Sequence, residues 1–558
     1  MLKWQWAEYL ASGPKTILAL QPFRKTSRIE VKGAANEALR ATLVDLSPRS
    51  NAWFLLFVEG PAGTENAYHL ENVDPLTQHV TLDATYPSGL RIWVADRPVD
   101  CPLWGPGARV LEEATASAVP YASICANRLF VRNAVAGTYT TLERITNILR
   151  DHVWGGDRIV QFVRDEVYQN AFVEEGPSRP IPAPEKGANA ATAPRGAVLA
   201  PGLEDMGVRP EHLAIDMGAG SSEFRIGAWY PVPDCPGILL SVIKAEAIAP
   251  GILQSYKQSV NALDAVESTA LDYLVAFDLS RFDLGFEIGT DHPRVGWSER
   301  VLDSVRDVHL PGPDGIGKIA PLVGTGMLSP ALARRAAATF AGGFKREHGA
   351  FRYGALAEQN QGSHYGFIEQ GVILSKLQPD LAALIVTDDG TVSMRTWSRP
   401  DESLLEHIRF ARENGVPLIE TDASGISRPG LLVNRWGPGN WSGSSEEHLR
   451  TVRAGVCLQE SGTSRYLIYG YFSDATPSAM ARVFQAYGCR YAMHLDMNAL
   501  EHTYLALYRS GAGQIAVEHL ISGMSEVDRK GGEALAPRFI GFPDDRDFFY
   551  LLRKESRP

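Results

Sequence analysis

The sequence lacks three features that would each narrow its function. Among its 558 residues there is no CxxC pair, no apolar run long enough to cross a membrane, and no excess of basic residues. The five cysteines are scattered, so neither a zinc ribbon nor a disulfide-dense scaffold is indicated. Because five is an odd number, at least one thiol stays unpaired unless it bonds to another chain. The net charge of -11 gives no electrostatic reason to expect nucleic acid as a partner.

The beginning of the sequence also lacks the uninterrupted apolar core of a signal peptide. As written, the chain is therefore predicted to be soluble, with no transmembrane segment. Export to a periplasm or beyond stays open, because a chain whose leader has been removed would look the same. The oligomeric state is not indicated.

The length and the residue pattern predict several domains. Short β-type runs favour a β-sandwich-like domain over residues 1–120, and helical periodicity favours a helical hairpin over 121–174. Prolines mark a Pro/Ala-rich linker at 175–210. In the remaining part, 211–558, β-type runs alternate with helical stretches. We therefore predict an α+β or mixed α/β C-terminal domain, preceded by an antiparallel β domain and a helical hairpin.

Three local patterns are clear in the C-terminal part. Asp389-Gly390 predicts the turn of a β-hairpin, and the stretch from Ser403 to Glu413 has the periodicity of a helix. The stretch Ser464 to Tyr508 reads as strand, helix and strand, with Thr476 as the helix cap and Gly488 as its stop. A connection of this length predicts a parallel pair with a right-handed crossover, and polar residues gather where its second strand ends.

Four segments in a fixed order carry a family resemblance. They are FAGGFK at 340–345, RPGLLVNRWG at 428–437, RAGV at 453–456, and the strand-helix-strand stretch that closes in HLDMNALEH at 494–502. In this order they resemble the phosphodiester glycosidase family over roughly Ser280 to His519. The sequence departs from the family pattern at Ala341, which replaces an asparagine, and at 497–499, where Met-Asn-Ala replaces glycines.

The resemblance implies a hydrolase that cleaves a sugar-phosphate diester or a related glycosidic bond, with a carbohydrate or sugar phosphate as partner. Asp496 is the predicted carboxylate, with Glu369 or Glu501 as its acid/base partner, because glycoside cleavage usually needs one protonated and one ionised carboxyl group. The predicted proton shuttle is His348 or His494. The predicted substrate-binding residues are Arg453, Lys345, Arg346, Gly342, Gly343, Asn498 and His502.

Two alternatives stay open at this stage. A set of histidines and acids in the C-terminal part could ligate a divalent metal: His292, His348, His364, His494 and His502, with Asp291, Asp496 and Glu501. Its spacing matches no metal signature, so neither a metal nor another cofactor is predicted. The altered residues at 497–499 favour a catalytically silent member that binds glycan or builds a cell-surface assembly. Geometry separates the two hypotheses: an open cleft lined by Asp496, Arg453, His348 and Glu369 would favour the enzyme, and a filled cleft would favour the binding or structural protein.

Overall fold

The computed structural model describes residues 16–139, 178–180, 193–218, 223–292, 316–344, 365–435, 449–511, 514–531 and 534–555. These residues form a predominantly antiparallel β structure with short helices. The pairings between strands are antiparallel, in sheets that run through both the N-terminal and the C-terminal part. The predicted α+β or mixed α/β class is therefore wrong, because hairpins rather than helical crossovers connect most neighbouring strands.

The N-terminal part contains two antiparallel sheets and one helix. Six strands pair in the order β1-β2-β3-β4-β9-β8 and three in the order β5-β6-β7. Their bounds are β1 Lys25–Lys32, β2 Ala38–Asp45, β3 Trp53–Glu59, β4 Glu65–Asn72, β5 Gln78–Thr81, β6 Gly89–Val94, β7 Arg97–Pro102, α1 Val110–Ala116, β8 Tyr121–Ile124 and β9 Leu129–Arg132.

Strand β3 explains how this part joins the rest of the chain. Its side chains alternate between the two faces of the sheet. Phe54 and Leu56 pack into the N-terminal core, whereas Trp53 and Leu55 pack into the large C-terminal core. Because all four are buried, the strand is a continuous apolar run rather than an alternating one.

The predicted helical hairpin (121–174) and linker (175–210) can be compared with the structure only in part, and the described residues differ from the prediction. Residues 121–132 contain β8 and β9 instead of helix. The helical hairpin itself, from Thr140 to Glu174, lies outside the described residues. The predicted linker contributes two strands of a small sheet ordered β10-β11-β12, with β10 Ser178–Pro180, β11 Met206–Val208 and β12 Phe224–Arg225.

Three larger sheets build the C-terminal part. The first has eight strands, in the order β13-β14-β15-β26-β25-β27-β23-β24. Its bounds are β13 Tyr230–Pro231, β14 Ile238–Lys244, β15 Leu271–Asp278, β23 Ile419–Thr421, β24 Ser427–Pro429, β25 Thr451–Ser461, β26 Ser464–Ala475 and β27 Tyr491–Met497.

The second and third sheets have five strands each, ordered β16-β32-β17-β28-β29 and β19-β18-β22-β20-β21. Their bounds are β16 Phe282–Glu287, β17 Ala336–Ala341, β28 Leu505–Gly511, β29 Gln514–His519, β32 Phe548–Arg553, β18 Phe367–Glu369, β19 Val372–Ser375, β20 Ala382–Thr387, β21 Val392–Thr396 and β22 Ile408–Glu413. A small hairpin pairs β30 Arg529–Gly531 with β31 Ala534–Ala536.

The helices of the C-terminal part are short. The α-helices are α2 Pro250–Leu253, α3 Ala265–Thr269, α4 Pro330–Ala333 and α5 Pro477–Ala486. Throughout the chain, 3₁₀ turns occur at Ile17–Leu20, Pro61–Gly63, Ala245–Ala247, Arg399–His407, Val433–Arg435 and Ser522–Val527. No helix of the described ranges is both long enough and apolar enough to cross a membrane.

Aromatic contacts hold the three large sheets together. The ring of Phe340 on β17 lies 5.4 Å from that of Tyr469 on β26. The ring of Phe286 on β16 stacks on that of Phe367 on β18 at 6.0 Å. The sheet containing β17 and β32 therefore packs against both of the others, and its strand ends lie close to loops from each.

The strand-helix-strand prediction is confirmed in its elements. Helix α5 lies between β26 and β27, the side chain of Thr476 accepts a hydrogen bond from the Ala479 amide at 3.2 Å, and Gly488 has a positive φ of 67°. The predicted pairing is wrong, because β25 lies between the two strands and is antiparallel to both. Strands β26 and β27 therefore run in the same direction without touching as a pair.

Of the other two local predictions, one is confirmed and one is wrong. Strands β20 and β21 pair as the predicted hairpin, with Gly390 at a φ of 79°. The predicted helix from Ser403 to Glu413 is instead the end of a 3₁₀ turn followed by β22. Strand β22 lies between β18 and β20, so pairing on both sides outweighs the local helical pattern.

Four cysteines form two disulfides, Cys101–Cys125 and Cys457–Cys489. Cys235 is buried as a free thiol. The odd cysteine count thus leaves one thiol unpaired, as expected.

Candidate functional site

Asp496, at the end of β27, lies in a group of three polar residues from distant parts of the chain. Its Oδ2 accepts a hydrogen bond from Nη1 of Arg546 at 2.5 Å, and Nη2 of Arg546 lies 2.8 Å from Nε2 of His502. Asp496 and Arg546 are nearly buried, with 5% and 6% of their surfaces exposed, whereas His502 is partly buried. The Asp496 carboxylate is therefore held by a cation beside an imidazole that solvent reaches.

The hydrogen-bond partners of the His502 ring determine which of its nitrogens carries a hydrogen. Its Nδ1 lies 2.9 Å from the carbonyl oxygen of Met497, which can only accept a hydrogen bond, so Nδ1 carries the hydrogen. Its Nε2 faces Arg546, which can only donate, so Nε2 presents a lone pair. His502 is therefore neutral in this arrangement.

Asp547, immediately before β32, is the centre of an adjoining group. Its Oδ1 lies 2.8 Å from Nδ1 of His292, and its Oδ2 accepts a hydrogen bond from Nε of Arg412 at 2.7 Å. All three side chains are fully buried. Burial alone would raise the pKa of Asp547, but the charge of Arg412 and the hydrogen bond from His292 outweigh it and hold that pKa at about 2.

We call these six residues together the strand-end cluster: Asp496, Arg546, His502, Asp547, His292 and Arg412. Asp496 lies near the end of β27 and Arg412 near the end of β22, whereas Arg546 and Asp547 directly precede β32. His292 follows β16, and His502 lies between β27 and β28. Asn414 connects the two groups: its Oδ1 accepts a hydrogen bond from Nη1 of Arg412 at 3.4 Å, and its amide nitrogen donates to the carbonyl oxygens of His494 and Leu495, just before Asp496.

The two glycines of the first family motif border this cluster. A Cβ on Gly342 would lie 2.7 Å from Oδ2 of Asp547, and a Cβ on Gly343 would lie 3.0 Å from the side chain of Asn414. Gly343 also has a φ of 130°, which only glycine adopts readily. Protein side chains occupy the space that the sequence analysis assigned to a ligand.

Arg453, the predicted phosphate ligand, is buried within protein contacts. Its Nε donates to the Ala475 carbonyl at 2.7 Å and its Nη2 to the Leu449 carbonyl at 2.8 Å. Its Nη1 lies 3.3 Å from Nε2 of His494. None of its surface is exposed, so it holds β25 against its neighbours instead of facing a substrate.

His494, a predicted proton shuttle, is also fully buried. Burial lowers the pKa of His494 well below its usual value, and the positive charge of Arg453 lowers it further. The ring of Phe344 stacks on it at 5.0 Å. His494 therefore stays neutral at physiological pH.

Glu369, the other predicted carboxyl group, belongs to a separate buried set. We call Glu71, Arg132, Glu287 and Glu369 the interface cluster, because the first two lie on β4 and β9 and the last two on β16 and β18. Arg132 bonds Glu71 at 2.5 Å and Glu287 at 2.6 Å.

Burial raises the pKa of Glu369 well above its usual value, and the negative charge of Glu287 raises it further. Oε2 of Glu369 accepts a hydrogen bond from the Ile288 amide at 3.0 Å. Burial thus favours the protonated form of Glu369, which lies inside the contact between the two parts of the chain and not beside Asp496.

The other predicted residues lie around β27 or outside the described ranges. Asn498 has a φ of 80°, and its Oδ1 is buried with no hydrogen-bond partner among the residues that the structure describes. Glu501 is partly buried, and its carbonyl oxygen accepts a hydrogen bond from Arg538. Lys345, Arg346 and His348 lie outside the described residues.

The predicted set therefore does not line one cleft. Arg453 and Glu369 are fully buried in different networks, and His348 cannot be placed. Within the described ranges, no group of histidines, cysteines and acids could hold a metal ion.

Four residues of the strand-end cluster were not predicted from the sequence as catalytic or binding residues. Arg412, Arg546 and Asp547 were not considered, and His292 entered only as a metal candidate. One signal could have found the two residues near β32: the charged run DDRD at 544–547 directly precedes the apolar strand FFYLL. A charged run at a strand end is a place where buried ion pairs form.

Comparisons with known proteins do not assign a family. No protein-family model matches the chain, and no curated protein matches it. One matching solved structure is the crystal structure of a hypothetical protein from Synechocystis, with 9% sequence identity over 90% of this chain and 97% of that one. Its TM-score of 0.25 is too low to carry an argument. The resemblance to the phosphodiester glycosidases thus stays a prediction.

Proposed function

We propose that the chain is a hydrolase that cleaves a sugar-phosphate diester or a related glycosidic bond at the end of β27. The observation that carries this proposal is the contact of one guanidinium, that of Arg546, with both Asp496 and His502. In such a hydrolysis a carboxylate can stabilise the charge that develops on the sugar, and a cation can bind the phosphate.

Each of the three residues has a role in the proposed reaction. Asp496 stabilises the positive charge that develops on the sugar as the glycosidic bond breaks. Arg546 takes the place that the sequence analysis gave to Arg453, because a planar guanidinium suits a phosphate. His502 accepts a hydrogen bond from Arg546 at Nε2 and so holds the guanidinium in place.

The two disulfides support a protein that is exported from the cytosol. Disulfides persist in oxidising environments and are rare in the cytosol. The pairs Cys101–Cys125 and Cys457–Cys489 therefore favour a protein that works outside the cytosol.

The test is hydrolysis of a chromogenic sugar phosphodiester by the full chain, with and without a chelator. We expect the wild type to release the chromophore and Asp496→Asn to lose about 100-fold or more of kcat/KM. His502→Gln should lose less, because it removes one hydrogen-bond acceptor of Arg546 and leaves the ion pair of Arg546 with Asp496 intact. Asp234→Asn is the matched control, because the Asp234 side chain is 89% exposed.

A folded Asp496→Asn protein with wild-type turnover would refute this assignment. Folding is checked by comparing the denaturation curves of the variant and the wild type, because the substitution removes the partner of a buried arginine. Loss of wild-type activity with the chelator would show that a divalent metal takes part.

A second candidate function is a catalytically silent protein that binds glycan or builds a cell-surface assembly. The filled space beside Gly342 and Gly343 and the buried Arg453 favour it. The same assay separates the two functions: a silent protein binds a labelled sugar phosphate or glycan without turnover.

A further inference from the structure

Three histidines lie in or beside the strand-end cluster, and their Nε2 atoms differ. In His494 and His502, Nε2 faces an arginine, Arg453 and Arg546 respectively, so its lone pair is already used. In His292, Nε2 is buried and has no hydrogen-bond partner in the described part of the chain. His292 therefore keeps a lone pair that the protein does not satisfy.

The neighbours of His292 fix its tautomer. Asp547 Oδ1 lies 2.8 Å from Nδ1, and a carboxylate without a proton can only accept a hydrogen bond, so Nδ1 carries the hydrogen. The ring of Phe367 lies nearly parallel to the imidazole, with centroids 6.5 Å apart and 15° between the planes. The imidazole is thus held in one plane and one tautomer, with its lone pair on Nε2.

Asp547 can stabilise the positive charge of a protonated His292 imidazole. Its second oxygen is bound by Arg412 at 2.7 Å, and its pKa of about 2 keeps it ionised at any pH at which the protein works. When Nε2 takes up a proton, the resulting imidazolium faces a carboxylate at hydrogen-bond distance. This is how an acid paired with a histidine promotes proton transfer in hydrolases.

Gly342 belongs to the same arrangement. Its amide donates to the Asp547 carbonyl at 2.9 Å, and any Cβ at this position would meet the Asp547 carboxylate at 2.7 Å. A glycine is therefore required for the carboxylate to reach His292. Gly342 therefore leaves space for the Asp547 carboxylate beside His292, and not for a ligand.

We propose that Nε2 of His292 exchanges a proton with the substrate, and that Asp547 and Arg412 are its positioning residues. This inference rests on the proposed hydrolase function and adds a catalytic residue to it. A buried polar atom without a partner is destabilising, and a hydrogen bond from a water or substrate atom would remove that cost.

The proposed step balances as an ordinary hydrolysis. The oxygen of a water molecule bonds to the anomeric carbon while one of its protons passes to Nε2 of His292. The bond from that carbon to the phosphate oxygen breaks, and the phosphate leaves with the electron pair. The proton on His292 then returns to solvent or to the departing phosphate.

The first experiment compares the pH dependence of kcat for the wild type and His292→Gln on the chromogenic sugar phosphodiester. We expect the variant to lose about 100-fold or more of kcat with little change in KM. The acidic fall of the wild-type profile, where Nε2 becomes protonated, should disappear in the variant. His79→Gln is the matched control, because His79 is exposed in the N-terminal part.

Asp547→Asn gives a second signature. An asparagine amide can donate to Nδ1, which would favour the wrong tautomer, so kcat should fall while the protein still binds substrate. Wild-type kcat and an unchanged pH profile in a folded His292→Gln protein would overturn the proposal.

A second experiment does not depend on turnover. The full wild-type chain is labelled with ¹⁵N-histidine and titrated with N-acetylglucosamine 1-phosphate, and the Nε2 resonance of His292 is followed by NMR. A shift that saturates supports the proposal, and an Nε2 resonance that does not move overturns it. If the wild type cleaves no diester, the proposed function fails, and this titration still decides the role of His292, as it does if His292→Gln does not fold.

Discussion

The strand-end cluster and the interface cluster are both buried and charged, but they balance their charges differently. In the first, Asp496 is held by Arg546 and Asp547 by Arg412. In the second, three carboxyl groups share the single guanidinium of Arg132, and burial together with the charge of Glu287 favours the protonated form of Glu369. Pairing with a cation keeps a buried carboxylate ionised, whereas protonation makes a carboxyl group neutral.

The largest expected effect comes from removing the one cation of the interface cluster. Arg132→Met leaves three buried carboxyl groups facing one another, and breaking a buried ion pair typically costs about 3–5 kcal/mol. We expect the free energy of unfolding to fall by about 4 kcal/mol at pH 7, measured by denaturant unfolding. The loss should shrink towards acid pH, because the carboxyl groups then become protonated.

The matched control for this variant is Arg40→Met. Arg40 also contacts two glutamates, Glu30 and Glu59, but it is largely exposed, and exposed ion pairs contribute at most about 1 kcal/mol. Equal losses from the two substitutions would contradict the view that burial makes the interface cluster costly to break.

The next largest effect concerns Asp547 in the strand-end cluster. Its folded pKa of about 2 lies below the value of about 3.9 for an unfolded aspartate, so ionised Asp547 stabilises the fold above about pH 4. Asp547→Asn also leaves Arg412 buried without its carboxylate. We expect a loss of about 3 kcal/mol at pH 7, measured by denaturant unfolding.

The pH dependence of that loss has a definite sign. The stabilisation by Asp547 disappears as the pH falls from about 4 through 2, because the carboxylate becomes protonated in the folded protein as well. The curves for wild type and variant should therefore converge at the acidic end. A difference that stayed constant down to pH 2 would show that the ion pair is not its source.

A smaller effect is expected at Gly342. In Gly342→Ala the new methyl group meets the Asp547 carboxylate at 2.7 Å, and overpacking of this kind costs about 1–3 kcal/mol. We expect about 2 kcal/mol by denaturant unfolding, together with a fall in kcat as the carboxylate moves away from His292.

Gly251→Ala is the control for that substitution. A Cβ on Gly251 would meet nothing within 4 Å, and the residue lies in α2 without a positive φ. Its replacement should leave stability unchanged or raise it slightly. If both alanine variants behaved alike, the close approach of Asp547 would not be the reason for glycine at position 342.

The smallest effect at pH 7 is expected for Glu369→Gln. Since the folded pKa of Glu369 is raised, its contribution to stability is complete below the unfolded value of about 4.3 and is lost as the pH rises through the folded value. Glutamine imitates the protonated form and does not titrate.

The measurement for this variant is the slope of unfolding free energy against pH. In the pH range between the two pKa values, the wild type should lose up to about 1.4 kcal/mol per pH unit relative to the variant. Parallel curves would mean that Glu369 does not carry the proton that distinguishes the interface cluster.

The sequence predicts local elements better than their partners. Thr476 and Gly488 mark the ends of α5 through backbone chemistry that depends only on neighbouring residues. The insertion of β25 between β26 and β27 depends on pairing between distant segments, which no local pattern contains. The same reason explains β22, where pairing on both sides overrides a helical periodicity.

In the candidate site, too, individual residues could be predicted from the sequence but their partners could not. Asp496 was located because it ends a recognisable strand, but its partners Arg546 and His502 come from a different turn and a different strand end. Arg453 and His494 were predicted to face a ligand, whereas packing of β25 against β27 buries both. Chemical type can be read from a sequence, but burial is decided by the assembled sheets.

Strand β32 has a consequence for how the chain reaches its fold. It lies between β16 and β17, with Phe549 opposite Phe286 on one side and Phe340 on the other. During synthesis the two flanking strands are complete long before Phe548–Arg553 leaves the ribosome. Their facing edges must stay open until that segment arrives, so closure of the sheet is a late event with high contact order. A nascent chain halted before Phe548 would expose two unpaired strand edges and would be prone to aggregate.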